Sequence, residues 1–108
     1  MIVEERIYTL YPGKVPQYLS LYREGGLAVQ KEILGNMLGY YQVEVGPQNQ
    51  IVHLWAYKDF QDRTDRRKEL ADSEAWQTYV KKIRPLVLLQ ENKILTPTAF
   101  SPVPDNFV

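Results

Sequence analysis

Cysteine is absent from the 108 residues. No disulfide can staple the fold, no thiolate can attack a substrate, and no cysteine can hold a metal. Histidine occurs once, at His53, so a metal site would have to be completed by carboxylates. The chain also lacks net charge, thirteen Lys and Arg balancing thirteen Asp and Glu. Without a basic excess there is no footprint for a nucleic-acid backbone or an anionic membrane, and neither partner is expected. No apolar run approaches bilayer-spanning length. The opening MIVEERIYTLY carries three charges in its first six residues and has no apolar signal segment, so a soluble, cytoplasmic protein is expected. Near neutrality a protein has little colloidal repulsion, which favours self-association.

What is present is enough apolar and aromatic material, 44% and 12% of residues, for one core in a chain too short for two ordinary domains. Residues 2–10 alternate as a strand that Pro12 and Gly13 end. Val15, Tyr18, Leu19 and Tyr22 recur at helical spacing, with Pro16 suited to a first turn. Gly25 and Gly26 are expected to break or bend that helix before LAVQKEIL, which Gly35 can close in the left-handed conformation. Two further alternating runs, 40–45 and 51–57, flank GPQNQ as a hairpin. Asp59, followed by Asp62, caps a helix carrying Phe60, Arg63, Arg67 and Leu70 on one stripe. Ser73 caps another, striped by Trp76, Tyr79, Val80 and Ile83 and ended near Arg84 by Pro85. LVLLQENKIL supplies a last strand.

The order strand, helix, strand, strand, helix, strand defines an α+β fold, a ferredoxin-like βαββαβ unit with a four-stranded antiparallel sheet and helices on one face. It spans residues 1–96. Residues 97–108 are rich in proline and form a C-terminal arm.

Three stretches resemble the NIPSNAP family: EERIYTLYPGKVPQYL at 4–19, GYYQVEVGPQNQIVHLWAYKDFQDRTDRR at 39–67 and WQTYVKKIRPLVLLQENKIL at 76–95. The central stretch is the specific one. The resemblance implies a dimeric α/β barrel, a homodimer whose protomers pack their open sheet faces together, and implies no settled reaction. On that geometry Val52, Leu54, Ala56, Ile7, Tyr41, Val43 and Val45 lie under the helices. His53, Trp55 and Tyr57, with Glu4, Arg6, Tyr8, Gln42 and Glu44, then face the seam between the sheets. Glu5 fits this phase badly, because it points towards the helices.

Two readings of that set stand side by side. In one, Glu4, Arg6, Glu44 and His53 form a structural polar network, His53 being a neutral imidazole bonded to a carboxylate such as Glu44. In the other they line a pocket for a small amphipathic or aromatic ligand, with Tyr8, Trp55 and Tyr57 as walls and Arg6 and His53 as anchors. As an enzyme, an oxygenase or isomerase type working without a cofactor, the chain would use His53 as acid or base and Arg6 to stabilise negative charge. A metal set of Glu4, Glu44 and His53 would have Arg6 beside it, so neither metal nor cofactor is expected. Acidic residues intersperse RTDRRKE at 63–69, which reads as a solvated helix face. The Trp76, Tyr79 and Ile83 stripe reads as core, and Tyr40 and Tyr41 as ordinary strand residues.

Overall fold

The computed structural model describes residues 1–105 and 107–108. Strand β1 (Ile2–Leu10) leads to helix α1 (Val15–Leu21), which runs through a π-helical turn at Tyr22–Gly26 into α2 (Leu27–Leu34). The paired glycines lie in the π-helical turn and do not break the helical run. A Cβ on Gly26 would stand 2.8 Å from the Tyr22 ring and 2.9 Å from that of Tyr79, so the missing side chain makes room for an aromatic from another helix. Gly35 closes α2 with a φ of +86°. Arg66 then donates through Nη1 to the carbonyls of Ile33 and Leu34 at 3.3 and 3.0 Å, covering acceptors that a helix end leaves free.

The hairpin strands are β2 (Asn36–Gln42) and β3 (Gln50–Tyr57). Strand β2 begins four residues before the expected start at 40 and stops at 42, short of 45. It passes through Gly39 because the Tyr41 side chain lies over that glycine and fills the gap, next to a register shift between Met37 and Gly39. Helix α3 (Phe60–Asp72) starts at Asp59, whose Oδ1 accepts from the Asp62 amide at 2.8 Å. Helix α4 (Glu74–Ile83) starts at Ser73, whose Oγ accepts from the Trp76 amide, and Pro85 sits in a 3-10 turn before β4 (Val87–Leu95). The sheet is antiparallel in the order β2-β3-β1-β4. No helix among the described residues is long and apolar enough to cross a membrane.

The expected phase of the sheet is inverted. Ile51, His53, Trp55 and Tyr57 are buried against the helices, alongside Tyr18, Tyr22, Leu34, Leu70 and Tyr79. Register places Glu4 opposite Trp55, Arg6 opposite His53 and Tyr8 opposite Ile51, so these too face the helices. Val3, Glu5, Ile7, Val52 and Leu54 therefore occupy the open face with Tyr41, Leu89 and Leu95. The misfit of Glu5 disappears, because it faces away from the helical layer opposite Lys93. Both faces are apolar, but the helices present aromatic rings and hydroxyls, and only the aromatic, polar strand face complements them.

The arm returns to its own sheet. Residues 96–98 and Ser101 lie beside Val3, Leu38, Leu54 and Leu95, and Val108 exchanges two hydrogen bonds with the Asn36 side chain. One end of the open face is thus covered in cis.

Candidate functional site

A cavity of about 150 Å³ lies between the sheet and the helices, with the exposed Gln90 of β4 among its lining residues. Strands supply Arg6, Tyr8, Tyr40 and His53; helices supply Tyr18, Gln30, Arg67, Trp76, Tyr79, Val80 and Ile83. The alternation of β1 and β3 brings Arg6, Tyr8 and His53 together, as expected for a pocket. The pocket is nevertheless enclosed by a single chain, between its own sheet and helices.

His53 is fully buried. Its ring stacks on Tyr40 at 4.5 Å between centroids and meets the edge of Tyr8 at 4.9 Å. The Trp55 indole Nε1 donates to His53 Nδ1 at 2.7 Å. An indole nitrogen can only donate, so Nδ1 holds its lone pair and the single proton of the neutral ring sits on Nε2. Burial first, then the charges of Arg6 and Arg67, push the imidazole pKa down to about 3 against the weaker pull of Glu4. His53 is therefore a neutral donor whose Nε2 has no hydrogen-bond partner among the described residues.

Glu4 is buried beside this cavity and belongs to a structural cluster. Its Oε2 accepts from Arg6 Nη1 at 3.0 Å, Arg63 Nη2 at 2.7 Å and Asn92 Nδ2 at 2.8 Å. Burial alone would raise its pKa, but the hydrogen bonds from Arg63 and Asn92 and the charges of Arg6 and Arg67 hold it at about 2. Arg6 is further fixed by Nε donating to the Tyr8 hydroxyl at 3.1 Å. Of the network expected from Glu4, Arg6, Glu44 and His53, the structure keeps the Glu4–Arg6 pair, and Arg63 of α3 and Asn92 of β4 take the places of Glu44 and His53.

Two expected pocket residues are elsewhere. Gln42 shares the helix-side face with Ile51, but it lies at the exposed end of an edge strand beyond the helical cover. Glu44 lies past the end of β2, exposed, so the expected hydrogen bond to His53 is not made. Trp55 and Tyr57 are buried against the helices but do not line the cavity; Trp55 acts on it through His53, and the Tyr57 hydroxyl has no partner among the described residues.

Sequence reasoning missed the helical half of the site. Tyr18 and Tyr40 join their hydroxyls at 2.8 Å, and Tyr22 donates to Gln30 Oε1 at 2.6 Å while stacking on Tyr40 at 4.4 Å. Burial raises the pKa of each of these tyrosines and of Tyr79 far enough to keep them protonated. Arg63 and Arg67 turn inward from α3, correcting the solvated reading of 63–69; only part of that segment behaves so, as in the exposed pair Lys68–Asp72 at 2.9 Å. The signal was their spacing with Leu70 on one stripe. No cluster of three metal-ligating side chains occurs among the described residues.

Comparison with known proteins bears on the fold and the ancestry. A family model described as NIPSNAP matches residues 3–102. Protein NipSnap homolog 1 of Danio rerio is 30% identical over 102 residues, covering 94% of this chain and 36% of its own length. The NipSnap homolog of Dictyostelium discoideum is 35% identical over 94 residues, covering 87% of this chain and 41% of its own. The chain therefore spans well under half of these curated relatives. Among solved structures, an uncharacterized NIPSNAP-like domain protein from Burkholderia xenovorans superposes with a TM-score of 0.95 at 44% identity, over 99% of this chain and 93% of that one. A NIPSNAP family protein of unknown function from Agrobacterium tumefaciens gives 0.92 at 42%, over 94% and 92%. An antibiotic biosynthesis monooxygenase shares the fold alone, with a TM-score of 0.63 and 15% identity over 91% and 99%. The sequence and the ferredoxin-like sheet agree: this chain belongs to the NIPSNAP family.

Proposed function

We propose that the chain binds a small aromatic molecule in the cavity between its sheet and its helices, and that it works as a homodimer joined through the open sheet face. The observation that carries the first part is the lining: Tyr8, Tyr18, Tyr40, Trp76 and Tyr79 wall a space of about 150 Å³ around a few buried polar groups. A cavity of that size is large enough for a single benzene-sized ring, and aromatic walls with convergent polar atoms are the usual make-up of a small-molecule site. Binding is favoured over base catalysis by His53, because the lone pair a base would use is engaged by Trp55 while the other ring nitrogen carries the proton.

The second part is supported by the aliphatic character of the open face, where Tyr41 and Leu89 stay about half exposed beside Ile7, Val52 and Leu54. A second copy offers the same surface to it under two-fold symmetry.

Titration with benzene, toluene, phenol and benzoate, followed by thermal shift and calorimetry, tests the ligand reading. At least one ring compound is expected to raise the melting temperature of the wild type. Val80→Phe, which fills the cavity at its wall while sparing every polar group, is expected to abolish that shift. A wild type indifferent to all four compounds overturns the proposal.

A further inference from the structure

We infer that the polar end of this cavity is a receptor for the carboxylate of an aromatic acid, with His53 Nε2–H and Arg67 Nη1 as its donors. The inference rests on the ligand reading above and adds the chemical class.

Three residues that line this cavity each carry a buried side-chain atom without a hydrogen-bond partner among the described residues: His53 Nε2, Arg67 Nη1 and the Tyr79 hydroxyl. A buried polar group without a partner is destabilising, so three around one space point to something absent that satisfies them together. What they ask for is an acceptor. Trp55 fixes His53 as the Nε2–H tautomer, and a guanidinium has donors only. The Tyr79 hydroxyl can turn to donate as well.

Charge agrees with hydrogen bonding. The groups facing His53 are Glu4, Arg6 and Tyr8 from β1, Tyr40 from β2, Tyr18 from α1, Arg67 from α3 and Tyr79 from α4. The tyrosines are neutral, so two cations stand against one anion. The Oε2 of that anion already receives Arg6, Arg63 and Asn92, while its Oε1 is buried without a partner among the described residues. Arg67 makes no ion pair among the described residues. A carboxylate would supply the missing negative charge and enough lone pairs for all three donors, and arginine–carboxylate bonds are among the stronger charge-assisted ones. A primary amide of the same shape would bring two N–H groups to a site that already holds donors.

Calorimetric titration at neutral pH with benzoate, benzamide and toluene separates the outcomes. Benzoate is expected to bind at least tenfold more tightly than either neutral ring, and Arg67→Gln to remove most of that preference. Nitrogen-15 NMR of the single histidine gives a measurement independent of variant folding: Nε2–H resonates as a protonated nitrogen and shifts on benzoate addition. Toluene or benzamide binding as tightly as benzoate overturns the carboxylate assignment and leaves the aromatic cavity standing. Benzoate bound equally well by folded Arg67→Gln, or leaving the His53 signal unmoved, overturns it too. Failure of benzoate overturns this inference, and failure of benzene, toluene and phenol as well removes the ligand reading itself.

Discussion

Arg63 Nη2 lies 2.7 Å from Glu4 Oε2, tying helix α3 to strand β1 across 59 positions of sequence. The carboxylate is fully buried and the guanidinium mostly so. Such a pair need not add net stability relative to an apolar pair, but removing one partner leaves charges stranded. Glu4 is the partner on which Arg6, Arg63 and Asn92 all converge.

Replacing Glu4 by Gln is expected to cost about 3–5 kcal/mol at neutral pH, because at least two guanidinium groups lose their anion together. The sign of the pH dependence follows from the folded pKa. Glu4 is held at about 2 against an ordinary value of 4.5, so its contribution is present above 4.5 and is lost as pH falls towards 2. Urea unfolding at a series of pH values should show the wild-type advantage over Glu4→Gln narrowing through that window. A constant gap down to pH 2 contradicts the assignment.

Much of the architecture was legible. Most strands and helices announce themselves by periodicity, and the second pair of helices by caps as well: Asp59 and Ser73 both accept the backbone N–H expected of them, and Pro85 ends α4 where it should, whereas β2 is displaced towards Asn36. The hidden part was which way the sheet faces. Alternation in β3 separates His53, Trp55 and Tyr57 from Val52, Leu54 and Ala56, but a period of two carries no sign, and both sets are apolar enough to be buried. Three residues held the sign. Glu5 sits comfortably only on the open face, and Arg63 and Arg67 share a helical stripe with the buried Leu70, which brings cations to meet Glu4 from the helix side. The cavity itself was not legible, because Tyr18, Tyr40, Trp76 and Tyr79 look like ordinary core rings until the π-helical turn at Gly26 seats Tyr79 against Tyr22.

Trp55 serves the cavity as a positioning residue, through the tautomer of His53. Trp55→Phe keeps the apolar ring and deletes the donor to Nδ1, so the proton of the neutral imidazole is expected to distribute between the two nitrogens. The wild-type histidine should show one protonated and one bare nitrogen from pH 9 down to about 4, since its folded pKa is about 3. Its neutral form is favoured by the fold, so this contribution to stability is full above the ordinary value of 6.5 and is lost as pH falls from there towards 3. In Trp55→Phe the nitrogen-15 shifts should move towards each other and benzoate affinity should fall, while the melting temperature changes less than for Glu4→Gln. A wild-type imidazole titrating near 6.5 contradicts this account of the site.

The proposed homodimer rests on the open sheet face and on no part of the cavity. Ile7 and Val52 are cross-strand neighbours at its centre, away from the end that the C-terminal arm covers. Neither side chain touches Glu4, His53 or Arg67 from that face, so a charge placed there should act on assembly and leave the ligand site alone. Val52→Asp sets a carboxylate opposite its own symmetry mate or against apolar neighbours, and either placement penalises association. Sedimentation velocity is expected to give a dimer for the wild type at micromolar concentration and a folded monomer for Val52→Asp, with benzoate binding retained. A wild type that sediments as a monomer at that concentration removes the dimer proposal. Loss of benzoate binding on dissociation would instead tie the cavity to the assembly, against the arrangement described, in which each protomer encloses its own site.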